Sequence, residues 1–231
     1  MSKTLIAVID DGVNPLYFHN RPLIYDIEIS TTLRIRKVHK HSPHFLTHGT
    51  FCAGIIKKNA PQADICSIKV LNKNHRGSVY QTVKALEWCI NNNIRLINMS
   101  IGTVNPKDFA SINKIVDKVC DSGILIVAAT SNNNKITYPA CLEKVIGVRC
   151  CPDKTLRDQE YYYNFEASRG IEIICNGVHF LKGPNNQTYF VGPSNSFATS
   201  LMCSIIYGII ENNSNASITD IKEKLKNKAR S

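Results

Sequence analysis

Four short stretches of this 231-residue chain carry side chains able to act as acid, base, amide donor and nucleophile. The first, Asp10-Asp11-Gly12, follows the apolar run Leu5 to Ile9. A carboxylate at the end of a buried strand is costly without a partner. The pair therefore reads as a loop cap, an acidic phosphoacceptor pocket or part of a catalytic site. The second is Thr47-His48-Gly49-Thr50-Phe51-Cys52-Ala53-Gly54, a histidine opening a helix. Its glycines are poor helix formers and make sense only if backbone packs closely on backbone. His39, His41, His44 and His48 could be joined into a metal cluster, but their spacing lacks the His-Glu-x-x-His pattern of helical zinc sites, and no metal is expected. The third runs from Val127 to Asn132. An asparagine amide at a strand end can donate to a developing oxyanion, or it can simply form a turn with Asn133 and Asn134. The fourth is Ser194-Asn195-Ser196-Phe197-Ala198-Thr199-Ser200. A serine hydroxyl in the first helical turn sits in a positive field that favours an alkoxide, and serine is also the commonest helix cap.

These stretches need a frame that places strand ends side by side. Ile65 to Leu71, Ile94 to Met99 and Gly123 to Ala129 repeat the continuous apolar pattern of Leu5 to Ile9, as strands buried on both faces should. Val145 to Val148 and Ile171 to Cys175 read as two more strands, and Asn185-Asn186-Gln187 as a turn in a local β excursion. Helical patterns fall between them: one capped by Ser78, one opened by Pro106 and stopped near Gly123, and a basic C-terminal one capped by Ser217 or Thr219. This alternation predicts one α/β domain over residues 1–231, with a mainly parallel sheet between two helical layers and ligands at the carboxyl ends of the strands.

Composition removes several classes. Hydrophobic residues make up 43% and charged residues 20%, which fits a globular fold rather than disorder. The nine cysteines form no C-x-x-C pair, so neither a disulfide framework nor a thiolate zinc site is expected. No apolar run is long enough for a signal-peptide core or a membrane span. A cytoplasmic protein with free thiols is expected. The net charge of +10 is scattered and lacks the aromatic-basic motifs of nucleic-acid modules. It reads as solvated lysines or as attraction to an acidic peptide.

The order Asp, His, Ser is that of subtilisin, and the chain resembles the subtilisin-like serine peptidases. The resemblance rests on Ala7-Val8-Ile9-Asp10-Asp11-Gly12, on His48 to Gly54, and on Ala60-Pro61 through Val70-Leu71. Ile97 to Gly102, Tyr138-Pro139-Ala140 and the serine helix extend it. It implies a three-layer sandwich with a seven-stranded, mainly parallel sheet and hydrolysis through an acyl-enzyme. Asp10 would orient His48, His48 would take the proton of Ser196, and Asn132 with the Ser196 amide would hold the oxyanion. Ser100, Ile101 and Gly102 would pair with an extended substrate. Ala129, Thr130, Ser131 and Thr137 would line the pocket for the residue before the scissile bond, and Asp11 would either look toward the substrate, favouring a basic residue near the second position before that bond, or serve a structural role.

Three departures stand out. Ser194 replaces a glycine and Ser200 a proline of the family's serine motif, leaving Ser194 as a rival nucleophile to Ser196. Only nine residues precede Asp10, and Ile55 to Asn59 leaves no room for a calcium loop, so no pro-region and no metal or other cofactor are expected. Together these features suggest selective maturation of a small precursor, such as removal of an acidic leader from a modified peptide. The alternative is a catalytically weak module that binds peptides without cutting them.

Overall fold

The apolar runs assemble as parallel strands around β1, Leu5–Asp10. Its neighbours are β4, Asp64–Lys69, and β5, Leu96–Met99. Beyond β4 lies β2, Tyr25–Ile29; beyond β5 lie β6, Leu125–Ala129, β7, Ile146–Cys150, and β9, Ile173–Cys175. The computed structural model describes residues 4–17, 22–42, 46–133, 135–152, 156–164 and 170–230. The seven expected parallel strands are thus present, and two short antiparallel strands extend the sheet to nine. These are β3, Ile35–Lys37, on β2, and β8, Tyr161–Tyr163, on β9. A separate hairpin pairs β10, His179–Lys182, with β11, Thr188–Val191.

Successive residues of β1 serve opposite layers, which explains its unbroken apolar character. Ile6 and Val8 join the core under α1, His48–Asn59, and α4, Asn195–Asn212. Ala7 and Ile9 join the core under α2, Val79–Asn91, and α3, Phe109–Asp121. Ser78 caps α2 in a reciprocal box with Gln81. Ser217, rather than Thr219, caps α5, Ile218–Lys228, in a box with Asp220. All nine cysteines are free, and among the described residues no helix is long and apolar enough to cross a membrane.

The close packing read from the glycines is found at Gly49. A Cβ there would stand 2.5 Å from the Gly12 carbonyl oxygen and 3.1 Å from the Asp10 Cβ. Helix α1 therefore meets the end of β1 backbone to backbone, and this contact sets His48 over Asp10. Gly49→Ala is expected to cost about 1–3 kcal/mol in urea unfolding, the range for overpacking a tight contact. A variant as stable as the wild type would show that this approach can relax freely.

Candidate active site

Asp10 ends β1 and is only 1% exposed. Its Oδ1 accepts the Asp11 amide at 2.8 Å and its Oδ2 lies 2.8 Å from His48 Nδ1. That contact engages Nδ1 and leaves Nε2 as the free ring nitrogen. Phe197 stacks on the imidazole, with centroids 5.2 Å apart and planes 24° apart, which restricts ring rotation. Cys52, one helical turn beyond His48, places its sulfur 3.8 Å from Nδ1 and 3.4 Å from Ser100 Oγ. The neighbouring Cys52 sulfur and the bond to Asp10 raise the His48 pKa above the ordinary histidine value, while burial opposes them. Asp10, His48 and Cys52 also bring three potential donor atoms within 4.8 Å of one another. A soft cation could use that set only by competing with the Asp10–His48 bond.

Asp11 is turned to the start of α1. Its Oδ1 accepts the Gly49 amide at 2.8 Å, and its Oδ2 accepts the His48 amide at 3.1 Å. It therefore clamps the first turn of α1, helped by the helix dipole, while Thr47 caps the same turn. Burial, then the neighbouring Asp10 charge, raises the Asp11 pKa. Of the substrate-facing and structural roles open to Asp11, these bonds show the structural one, as an anchor of the histidine helix.

Ser196 lies in the first turn of α4 and lines one cleft with Asp10, His48, Ser100, Ile101 and Gly102. Among the described residues, no hydrogen bond joins its hydroxyl to His48. Ser194 is the N-cap of α4, and its Oγ accepts the Ser196 amide at 3.2 Å. Ser194 is thus engaged with the helix end, and it already holds the amide assigned to an oxyanion. The helix is locked to the sheet by residues that the sequence reading did not weigh. The Asn195 side chain donates to the Thr130 carbonyl at 3.0 Å and accepts the Cys150 amide at 2.9 Å. Ser200, standing in for proline, donates to Asn98 Oδ1, whose amide nitrogen donates to Ser100 Oγ.

Ser100, Ile101 and Gly102 continue past the last ladder pairs of β5, at Met99, and form one wall of the cleft. A Cβ on Gly102 would meet Thr137 Cγ2 at 2.6 Å and the Tyr138 carbonyl oxygen at 2.8 Å. Ala129 and Thr130 are buried at the end of β6. The Thr137 hydroxyl accepts the Ser131 amide and donates to the Lys135 carbonyl, so it braces the loop after β6. Asn132 is exposed on that loop and, among the described residues, has no hydrogen bond to fix its amide. Of the histidines once grouped for metal, His41 instead pairs with Asp26 at 2.6 Å, and His44 lies outside the described residues.

An acid-oriented imidazole beside a helix-initiating hydroxyl is the arrangement for general-base activation of a nucleophile. The Subtilase family model matches residues 1–231. Minor extracellular protease Epr of Bacillus subtilis (strain 168) is 29% identical over 206 residues, 84% of this chain and 30% of that protein. Subtilisin BL of Lederbergia lenta is 28% identical over 195 residues, covering 80% of this chain and 70% of its own length. Among solved structures, S41 psychrophilic protease superposes with a TM-score of 0.75 at 20% identity, over 98% of this chain and 82% of its own. Sphericase does so with 0.73 at 20%, over 98% and 85%, so the fold is shared. With a family model matched from end to end and Asp10, His48 and Ser196 at one cleft, this chain belongs to the subtilase family of serine peptidases.

Proposed function

We propose that this chain is a serine endopeptidase that cleaves peptide bonds through an acyl-enzyme on Ser196. The supporting observation is the 2.8 Å Asp10–His48 contact beside Ser196 in one cleft. Ser196 Oγ attacks the scissile carbonyl carbon while His48 Nε2 takes its proton. His48 then protonates the leaving amine as the C–N bond breaks, and a water molecule, deprotonated the same way, releases the acyl group. Asp10 keeps Nδ1 protonated and supports the imidazolium. Asn132 and the Ser196 amide hold the oxyanion, the amide once Ser194 releases it. At the finer level, we propose selective maturation in the cytoplasm, with removal of a leader segment from a precursor peptide. The free cysteines are consistent with that compartment. One observation favours peptide binding with little turnover: the Ser196 amide is occupied by Ser194 Oγ.

A fluorophosphonate probe separates the two. It is expected to label the native protein and the Ser194→Ala variant but not Ser196→Ala. A folded native protein that stays unlabelled contradicts the peptidase reading.

Ser194→Gly removes the competing hydroxyl at a helix cap where glycine costs only a few tenths of a kcal/mol. It is expected to raise kcat about 3–10-fold with little change in KM, part of the value of one oxyanion donor. An unchanged or lower kcat would show that the cap does not compete.

His48 works only when neutral, and its neighbours raise its pKa. The acid limb of kcat/KM is therefore expected above pH 6.5, with activity rising as pH rises through it. Cys52→Ala removes the neighbouring sulfur and is expected to move that limb to lower pH. A limb that does not move would assign the shift to Asp10 alone.

A further inference from the structure

The wall of the cleft facing Ser100 to Gly102 is the loop between β4 and α2. Leu71, His75, Arg76 and Gly77 line the same cleft as His48 and Ser196. On its other side the loop borders a second cavity, lined by Lys40, Lys73 and His75 together with Asp11 and Asp26. His75 lines both, so the two spaces adjoin along a ridge that carries Lys73, His75 and Arg76.

The charges along this ridge do not balance locally. Lys69 is matched by Glu28 at 3.2 Å. Asp11 is engaged by two α1 amides and faces His75 at 3.6 Å, and Asp26 is engaged by His41 at 2.6 Å. Among the described residues, Lys40, Lys73 and Arg76 have no ion-pair partner, and all three are exposed. The acids in the cavity are therefore already engaged, whereas the cations are free to meet a ligand.

The ridge is also held in place. Asn72 organises it: its amide donates to the Arg76 carbonyl, its carbonyl accepts the His75 amide, and its side-chain oxygen accepts the Asn74 and Arg76 amides. Gly77 permits close approach to β4, since a Cβ there would stand 2.7 Å from the Val70 carbonyl oxygen. A preorganised cationic edge binds without first paying to order its loop.

We propose that this ridge selects substrates carrying acidic side chains in the residues that precede the scissile bond. The inference rests on the peptidase reading above and gives that site a substrate class. An extended peptide lying on Ser100 to Gly102 presents alternate side chains to the opposite wall. Carboxylates there meet Arg76, with Lys73 and Lys40 on the adjoining cavity adding to the field, while lysines meet uncompensated positive charge. Such exposed pairing acts on encounter and selectivity and weakens with salt.

The test uses internally quenched peptides of one sequence, with Glu, Gln or Lys at the three positions before the cleaved bond. At low ionic strength the Glu peptide is expected to exceed the Gln peptide about tenfold in kcat/KM, the Lys peptide to be poorest, and the differences to shrink with added salt. The double variant Lys73→Glu/Arg76→Glu is expected to reverse the order, and Lys73→Gln/Arg76→Gln to flatten it. Equal cleavage of all three peptides, or a wild-type order that survives charge reversal, overturns the inference while leaving the peptidase reading intact. Binding of the same peptides, carrying a neutral fluorophore, to Ser196→Ala is read in parallel by anisotropy. Salt-sensitive binding of the Glu peptide that the charge-reversal pair abolishes, with no peptide cleaved by wild type, supports the selectivity and rejects the peptidase. Binding indifferent to peptide charge rejects the selectivity whether or not cleavage occurs.

Discussion

Two adjacent carboxylates at the end of one buried strand dock against the start of one helix, and the rest of the site depends on that junction. Burying Asp10 and Asp11 side by side is unfavourable, as the raised Asp11 pKa records. The cost is offset by three backbone amides, the positive end of α1 and the His48 ring. The two acids divide the work: Asp11 fixes where α1 begins, and Asp10 fixes which nitrogen of His48 faces away from it. Gly49 has to be glycine because the helix backbone sits against the Gly12 carbonyl. Position, tautomer and packing are thus set by one contact.

The second half of the site is held differently. Helix α4 is buried along most of its length, so its polar residues must find partners inside. Asn195 finds β6 and β7, and Ser200 finds Asn98 on β5. That network explains how serine replaces proline in the motif without leaving an unpaired group. Ser194 is different in kind: it satisfies a helix-end amide that the proposed mechanism assigns to the oxyanion. The α4 terminus is therefore well capped at the position where that proposal places an oxyanion donor.

Much of this was legible in the residues. The six continuous apolar runs became parallel strands because a strand covered by helices on both faces has no polar side to show. β2 escaped notice because Tyr25-Asp26-Ile27-Glu28-Ile29 alternates, with only Ile27 and Ile29 buried. β3 is exposed throughout and β8 is three residues long, so neither carries a hydrophobic signal. At the site, residue type exposed the acid, base and hydroxyl, but not what each oxygen would bind. Asp11 stayed open between a substrate contact and a structural role because sequence does not show that two amides lie within its reach. Cys52 and Phe197 drew no role from sequence; their contacts with His48 arise from folding, Cys52 one helical turn away and Phe197 on a different helix. The segment from Lys73 to Arg76 carries no motif, and only folding shows that His75 and Arg76 line the cleft.

The central claim is that His48 carries its proton on Nδ1, bonded to Asp10, before any substrate arrives. Nitrogen-15-edited proton NMR of protein labelled at histidine tests it directly. The account predicts an Nδ1–H resonance of His48 far downfield of the amide envelope, present in the resting protein and absent from a folded Asp10→Ala variant. A folded wild-type protein whose His48 Nδ1 bears no proton, with no such downfield signal, would contradict it.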